Sequence, residues 1–145
     1  MSVEPRTLLG FDYGLKRIGV AVGQELTGTA SPLETLTTTQ TGIDWGEIER
    51  LIDEWKPHAL VVGLPLNMDG SEHDMTLAAR KFARRLQGRY GLPVYEVDER
   101  LSSIAAEEHI HDDVKRRLNR RNGRGRIDRE AAQIILQTWL NEQQR

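Results

Sequence analysis

The first apolar run, residues 7–11, is followed by Asp-Tyr-Gly, and a second run occupies residues 18–23. Two such runs separated by a glycine-containing turn predict a β-hairpin. A third strand is expected around residues 33–38, where β-branched threonines cluster. The period then changes. Trp45, Ile48, Leu51, Ile52 and Trp55 recur at helical spacing, Asp44 and Glu47 resemble a capping box, and Pro57 ends the segment. Residues 59–64 (ALVVGL) are apolar without alternation, as in a strand covered on both faces, and predict a central parallel strand. Beyond a nine-residue connection, 65–73, the residues Met75, Ala78, Ala79, Phe82 and Leu86 mark one face of a second helix, and Arg80, Lys81, Arg84 and Arg85 the other. Residues 93–98 read as a further short strand, and Ser102 or Ser103 as the cap of a third helix running to Glu108. Residues 127–140 read as a C-terminal helix. This order describes an α/β fold, a mixed sheet with helices packed on it.

The 145 residues, 38% of them apolar, predict one domain over residues 1–145 with a single core. No cysteine is present, which excludes disulfides. No apolar run approaches the roughly 18 residues of a membrane span, and the N-terminal residues lack a signal-peptide pattern. A cytoplasmic protein with no membrane partner is expected. The formal charge of −2 conceals a strong polarity. Residues 80–89 and 115–129 hold 13 of the 20 basic residues and one acid, a local charge of +12 against −14 for the rest. Such segregation suits a polyanion-binding surface. Residues 80–89 read equally well as the solvated face of a helix. The glycine-rich RRNGRGR of the second window predicts a flexible basic loop.

Three acidic points stand out. Asp12 lies at the carboxyl end of the first strand, where open α/β sheets place ligands. Asp128 shares a helix face with Ala132, Ile135 and Trp139, so its carboxylate must be a cap, an ion-pair partner or a ligand. Asp98 and Glu99 end the fifth strand, and because neighbouring strand residues face opposite ways, at most one of them shares Asp12's centre. Arg100 beside them can pair with either acid or with a phosphate. Converging carboxylates call for a divalent cation, and magnesium fits better than zinc: His109 and His111 read as a surface pair.

Four segments, DYGLKRIGVA (12–21), VGLPLNMDGS (62–71), DERLSS (98–103) and DREAAQIIL (128–136), closely resemble the four motifs of the YqgF (RuvX) family, in order. The resemblance spans residues 8–140. It implies an RNase H-like fold of the RuvC type, with a mixed five-stranded sheet and helices on both faces. It also implies a cytoplasmic bacterial nuclease assigned to 5′-end maturation of pre-16S ribosomal RNA, with an older label as a Holliday junction resolvase. Carried over residue by residue, the catalytic and metal-binding acids fall on Asp12, Glu99 and Asp128, with Mg²⁺ or Mn²⁺ as cofactor. RuvC-type enzymes take their second acid from the end of the fourth strand, which here ends in Gly63, Leu64 and Pro65. Glu99 of the fifth strand takes that role instead, with Asp98 and Asp69 as substitutes.

The chemistry expected is hydrolysis of a phosphodiester by water activated between two divalent ions, with Asp12 as the bridging ligand. Lys16 and Arg17 are candidates to hold the scissile strand, Asn67 and Ser71 to position the nucleic acid, and Arg100 to meet a phosphate. Arg120, Arg121, Arg124 and Arg126 of the basic segment would track the backbone. The expected partners are structured RNA, including pre-16S RNA, and a ribosomal component, with branched DNA as the alternative. A four-way junction resolvase and a non-catalytic RNA-binding module are the rival readings. An actin-like or sugar-kinase ATPase, which needs two domains, does not fit the length.

Overall fold

A computed structural model of the chain describes residues 6–100 and 124–143, with side chains of the second segment described from Ile127. The two early apolar runs form the predicted hairpin. Strand β1 (Thr7–Tyr13) pairs antiparallel with β2 (Arg17–Gln24), setting Asp12 opposite Gly19 and Tyr13 opposite Ile18. Strand β3 (Thr29–Thr37) adds to β2 and begins four residues earlier than expected. Its register slips between the Val20–Glu34 and Ala21–Pro32 pairs. The slip and its edge position accommodate a proline that a central strand would reject.

Helix α1 (Trp45–Trp55) starts at Asp44, whose side chain accepts from the Glu47 amide. Glu47 does not return the favour: its carboxylate accepts from Arg50 Nε at 2.7 Å, so only half of the expected box forms. Strand β4 (Ala59–Leu64) is wholly buried and runs parallel to β1 and to β5 (Val94–Asp98), giving the sheet order β3-β2-β1-β4-β5. Helix α2 (Asp74–Tyr90) opens with a reciprocal box between His73 and Thr76. The C-terminal helix α3 (Arg124–Gln143) starts three residues before its predicted position. Arg124 and Arg126, expected in a flexible loop, therefore belong to its first turn. Asp128 is its fifth residue and caps nothing. The predicted helix of residues 102–108 and the loop residues 115–123 lie outside the described residues.

Helices cover both faces, as a sheet buried in its centre requires. Leu9, Phe11, Val20, Leu60 and Val62 pack on Ile48 and Leu51 of α1 and on Phe82 and Leu86 of α2. Leu8, Ala21, Val61 and Val97 pack on Ala132, Ile135, Leu136 and Trp139 of α3. Glutamines of α3 also cover the sheet edge: Gln137 Oε1 accepts from Ala30 N at 3.0 Å, and Gln133 Nε2 donates to Ala30 O at 3.0 Å. Helix α3 lies low on the sheet because glycines floor its path. A Cβ on Gly19 would stand 1.9 Å from the Asp128 carbonyl oxygen, and one on Gly63 would stand 2.4 Å from Ile135 Cδ1.

Candidate active site

Strand alternation assigns Asp12 to a face. In β1, Leu9 and Phe11 join the α1/α2 core while Leu8 joins the α3 core, so Asp12 shares the α3 face. In β5, Val97 packs with α3, and Tyr95 stacks on Trp139 with ring centroids 5.0 Å apart. Glu99, expected in the fifth strand, follows β5 as the first residue of a helical turn, so the chain's turn out of the strand, not alternation, places its side chain. Its carboxylate lies over Gly63, where a Cβ would come within 2.7 Å of Oε1. A carboxylate from the residue after β5 thus occupies space that a glycine of β4 leaves open.

Asp12 stands between two such glycines. Gly19 is its register partner on β2, and Gly63 on β4 follows the Phe11–Val62 pair by one residue. The Asp128 main chain passes over the first and the Glu99 carboxylate over the second. Asp12 at the end of β1, Glu99 just past β5 and Asp128 of α3 therefore lie on one glycine-floored face. Arg17, which opens β2 on that face, places Nε 2.7 Å from Asp128 Oδ2. Among the described residues no group of three His, Asp or Glu lies at metal-binding distances. The all-oxygen character of these side chains is of the kind Mg²⁺ or Mn²⁺ takes, and the Asp128 carboxylate is engaged by Arg17.

Asp98 faces away from this centre. It receives Arg100 Nη2 at 2.6 Å, Arg100 Nε at 3.1 Å and the Arg100 amide at 2.9 Å. The guanidinium holds its carboxyl below the ordinary value of 3.8. Arg100 Nη1 reaches on to the Met68 carbonyl at 3.1 Å. Asp69 accepts from the Ser71 hydroxyl at 2.6 Å and the Ser71 amide at 2.9 Å, which also lowers its pKa. Both substitutes for Glu99 are thus engaged in shaping the 65–73 loop. Asn67 Nδ2 donates to Ser71 Oγ at 2.9 Å, so the two predicted substrate-positioning side chains face each other within the loop. Lys16 is exposed at the β1–β2 turn, where its carbonyl accepts from the Thr38 amide at 3.0 Å. Arg120 and Arg121 lie outside the described residues.

Gly19 and Gly63 escaped the sequence reading. The available signal was a glycine inside an otherwise apolar strand, which marks close approach of another chain segment.

The profile of the RuvX family, described as Holliday junction resolvase, matches residues 6–142. The chain belongs to the RuvX family. A RuvX relative from Nitrosococcus oceani, named "Putative pre-16S rRNA nuclease", is 56% identical over 142 residues, covering 97% of this chain and 90% of the relative. One from Pseudomonas fluorescens with the same name is 54% identical over 138 residues, covering 94% and 93%. Among solved structures, Thermus thermophilus RuvC in complex with a Holliday junction substrate superposes with a TM-score of 0.58 at 18% identity, over 96% of each chain. A second RuvC structure from that organism gives 0.55 at 17%, over 95% and 96%. At those identities the likeness is one of fold, and it places this RuvX chain in the RNase H-like class.

Proposed function

We propose that this RuvX protein is a metal-dependent endonuclease of the cytoplasm that hydrolyses phosphodiester bonds of RNA in 5′-end maturation of pre-16S ribosomal RNA. Asp12, Glu99 and Asp128 are its catalytic acids and its Mg²⁺ or Mn²⁺ ligands. The observation that carries the reading is the placement of Asp12 between Gly19 and Gly63, with Asp128 and Glu99 arriving over those two glycines on the same face. The names of relatives at 54–56% identity supply the substrate.

A bound divalent ion supplies Lewis-acid stabilisation of the phosphoryl oxygens and a water acidic enough to attack at neutral pH. The chain's own residues do the positioning. Asp12 sits on a strand paired on both sides, so its carboxylate is held without a flexible loop. Arg17 neutralises Asp128 in the free protein and turns to a non-bridging phosphate oxygen when substrate arrives, a charge-assisted exchange. Lys16 adds a second cation at the same turn. Arg100 braces the 65–73 loop, which carries Asn67 and Ser71 beyond the carboxyl end of β4. Arg120, Arg121, Arg124 and Arg126 track the phosphate backbone, and a ribosomal partner presents the RNA.

The test is cleavage of a 5′-extended 16S precursor fragment in Mg²⁺ or Mn²⁺, beside a four-way DNA junction, with binding measured in parallel. Wild type is expected to cut the RNA only with metal, and Asp12→Asn to bind it without cutting. Binding without cleavage by wild type would instead identify an RNA-binding module. Cleavage confined to the junction would identify a resolvase.

A further inference from the structure

Tyr13 follows Asp12 in β1 and so turns to the opposite face, under α1 and α2, where no function has been assigned. There it lines a cleft of about 410 Å³ with Leu15, Thr38, Ile43, Trp45 and Arg85. A second hollow of about 210 Å³ shares Tyr13, Ile43 and Arg85 and adds Lys81 and Phe82, so the two form one groove. The larger part lies within the roughly 300–1,000 Å³ typical of small-ligand sites. Its wall is aromatic: Tyr13 stacks on Phe82 with centroids 4.9 Å apart, and Trp45 lies 6.0 Å from Phe82. Its rim is cationic. Arg85 and Arg89 stand over the Trp45 ring at 4.9 and 4.1 Å. Lys81, Arg84, Arg85 and Arg89 are exposed, and among the described residues none of the four is in an ion pair, whereas Arg80 is paired with Glu72.

We propose that this groove binds a single-stranded segment of RNA flanking the scissile bond, stacking a base against Tyr13 and the Arg85 guanidinium and holding its phosphates on Lys81 and Arg85. Aromatic rings beside unpaired arginines are how sequence-tolerant single-strand binders hold nucleic acid, and a base must be unstacked from a duplex to use them. Continuity favours this occupant over a protein or peptide. Asp12 and Tyr13 are consecutive residues at one strand end, and Leu15 of the β1–β2 turn lines the groove, so a strand leaving the acid face over that turn enters it directly. The basic face of α2, left open by the sequence as a merely solvated surface, then has a ligand. That the bound strand belongs to a cleavage substrate rests on the nuclease reading; single-strand binding does not.

The test is therefore binding, measured in the Asp12→Asn background with fluorescein-labelled unstructured RNA and, separately, with a blunt RNA duplex. Arg85→Glu combined with Lys81→Glu is expected to weaken single-strand binding at least tenfold while affecting the duplex less than threefold. A 2-aminopurine in the single strand is expected to be quenched on binding to the parent and to recover in the double variant. Arg84→Glu, on the same helix but outside the groove lining, is expected to weaken binding less than threefold. Arg85→Glu alone is expected to weaken single-strand binding more than Arg84→Glu; equal losses for these two single variants, equal losses on duplex and single strand, or no quenching by the parent would each overturn the proposal. Circular dichroism and thermal melting check that the variants fold. Failure of cleavage in the precursor assay, with this binding pattern intact, would remove the nuclease reading and leave the groove.

Discussion

Arg17 and Asp128 join the hairpin to the C-terminal helix across 111 positions of sequence, and their contact of 2.7 Å opposes any cation at the same carboxylate. Arg17→Ala is therefore expected to tighten binding of Mn²⁺ to the RNA-free protein several-fold while weakening substrate binding, because one charge serves both partners in turn. Calorimetric titration with Mn²⁺ checks this, and unchanged affinity would remove Asp128 from the ligand set. The glycines give a second contrast. At Gly63 a methyl group meets side-chain ends rather than backbone, Ile135 Cδ1 at 2.4 Å and Glu99 Oε1 at 2.7 Å. Gly63→Ala is expected to cost only about 1 kcal/mol of stability but to lower cleavage at least tenfold by displacing Glu99. At Gly19 the obstacle is the Asp128 carbonyl at 1.9 Å, backbone that has to shift. Gly19→Ala is expected to cost about 3 kcal/mol, and thermal melting of both variants separates the cases. Of this candidate site the sequence showed where Asp12 and Asp128 sit, since Asp12 follows an apolar run and Asp128 repeats with a helix face. That Glu99 rather than Asp98 lies over Gly63 depended on how the chain leaves β5. The role of Gly19 depended on where residue 128 would land, which no local pattern encodes.

The connection between β4 and α2 behaves as an element in its own right because Arg100 ties it to the end of β5. Its hydrogen bonds to Asp98 and to the Met68 carbonyl cross from one strand end to the other's loop. Since Arg100 lowers the Asp98 pKa, the carboxylate form is favoured in the folded chain. A depressed folded value means that the pairing contributes in full above the ordinary 3.8 and is lost only as pH falls through the still lower folded value. Proteolysis and amide exchange in residues 65–73 are therefore expected to stay constant through the neutral and mildly acidic range and to rise only below about pH 4. Asp98→Asn is expected to produce the same loosening at neutral pH. Elements with strong local signals were read closely: β4 has its predicted bounds, and α1 starts at the expected Asp44 and ends at Trp55, with Lys56 as its left-handed cap just ahead of Pro57. Those decided by packing were not. Strand β3 extends back through Pro32 because β2 is there to pair with it. Helix α3 incorporates Gly125 because the helix is held by the apolar face it buries on the sheet rather than by propensity.

At the scale of the whole molecule, charge separation organises the approach of a polyanion. The +12 of the two basic windows faces a remainder of −14, so phosphates are drawn to α2 and to the arginine segment and repelled elsewhere. Binding of RNA is then expected to fall steeply with salt, because each neutralised phosphate releases counterions, with a slope in log K against log salt of about −0.7 per contact on a single strand. Replacing Arg120, Arg121, Arg124 and Arg126 together by alanine is expected to flatten that slope by about 2.8 if all four reach phosphates. The loss should be the same for RNAs of different sequence, since phosphate contacts carry no base information. Anisotropy titrations between about 50 and 200 mM KCl measure both quantities. An unchanged slope would mean that the arginine segment does not touch the backbone, and would leave α2 as the basic surface on which the strand is held. A change confined to particular sequences would instead mean that these arginines read bases.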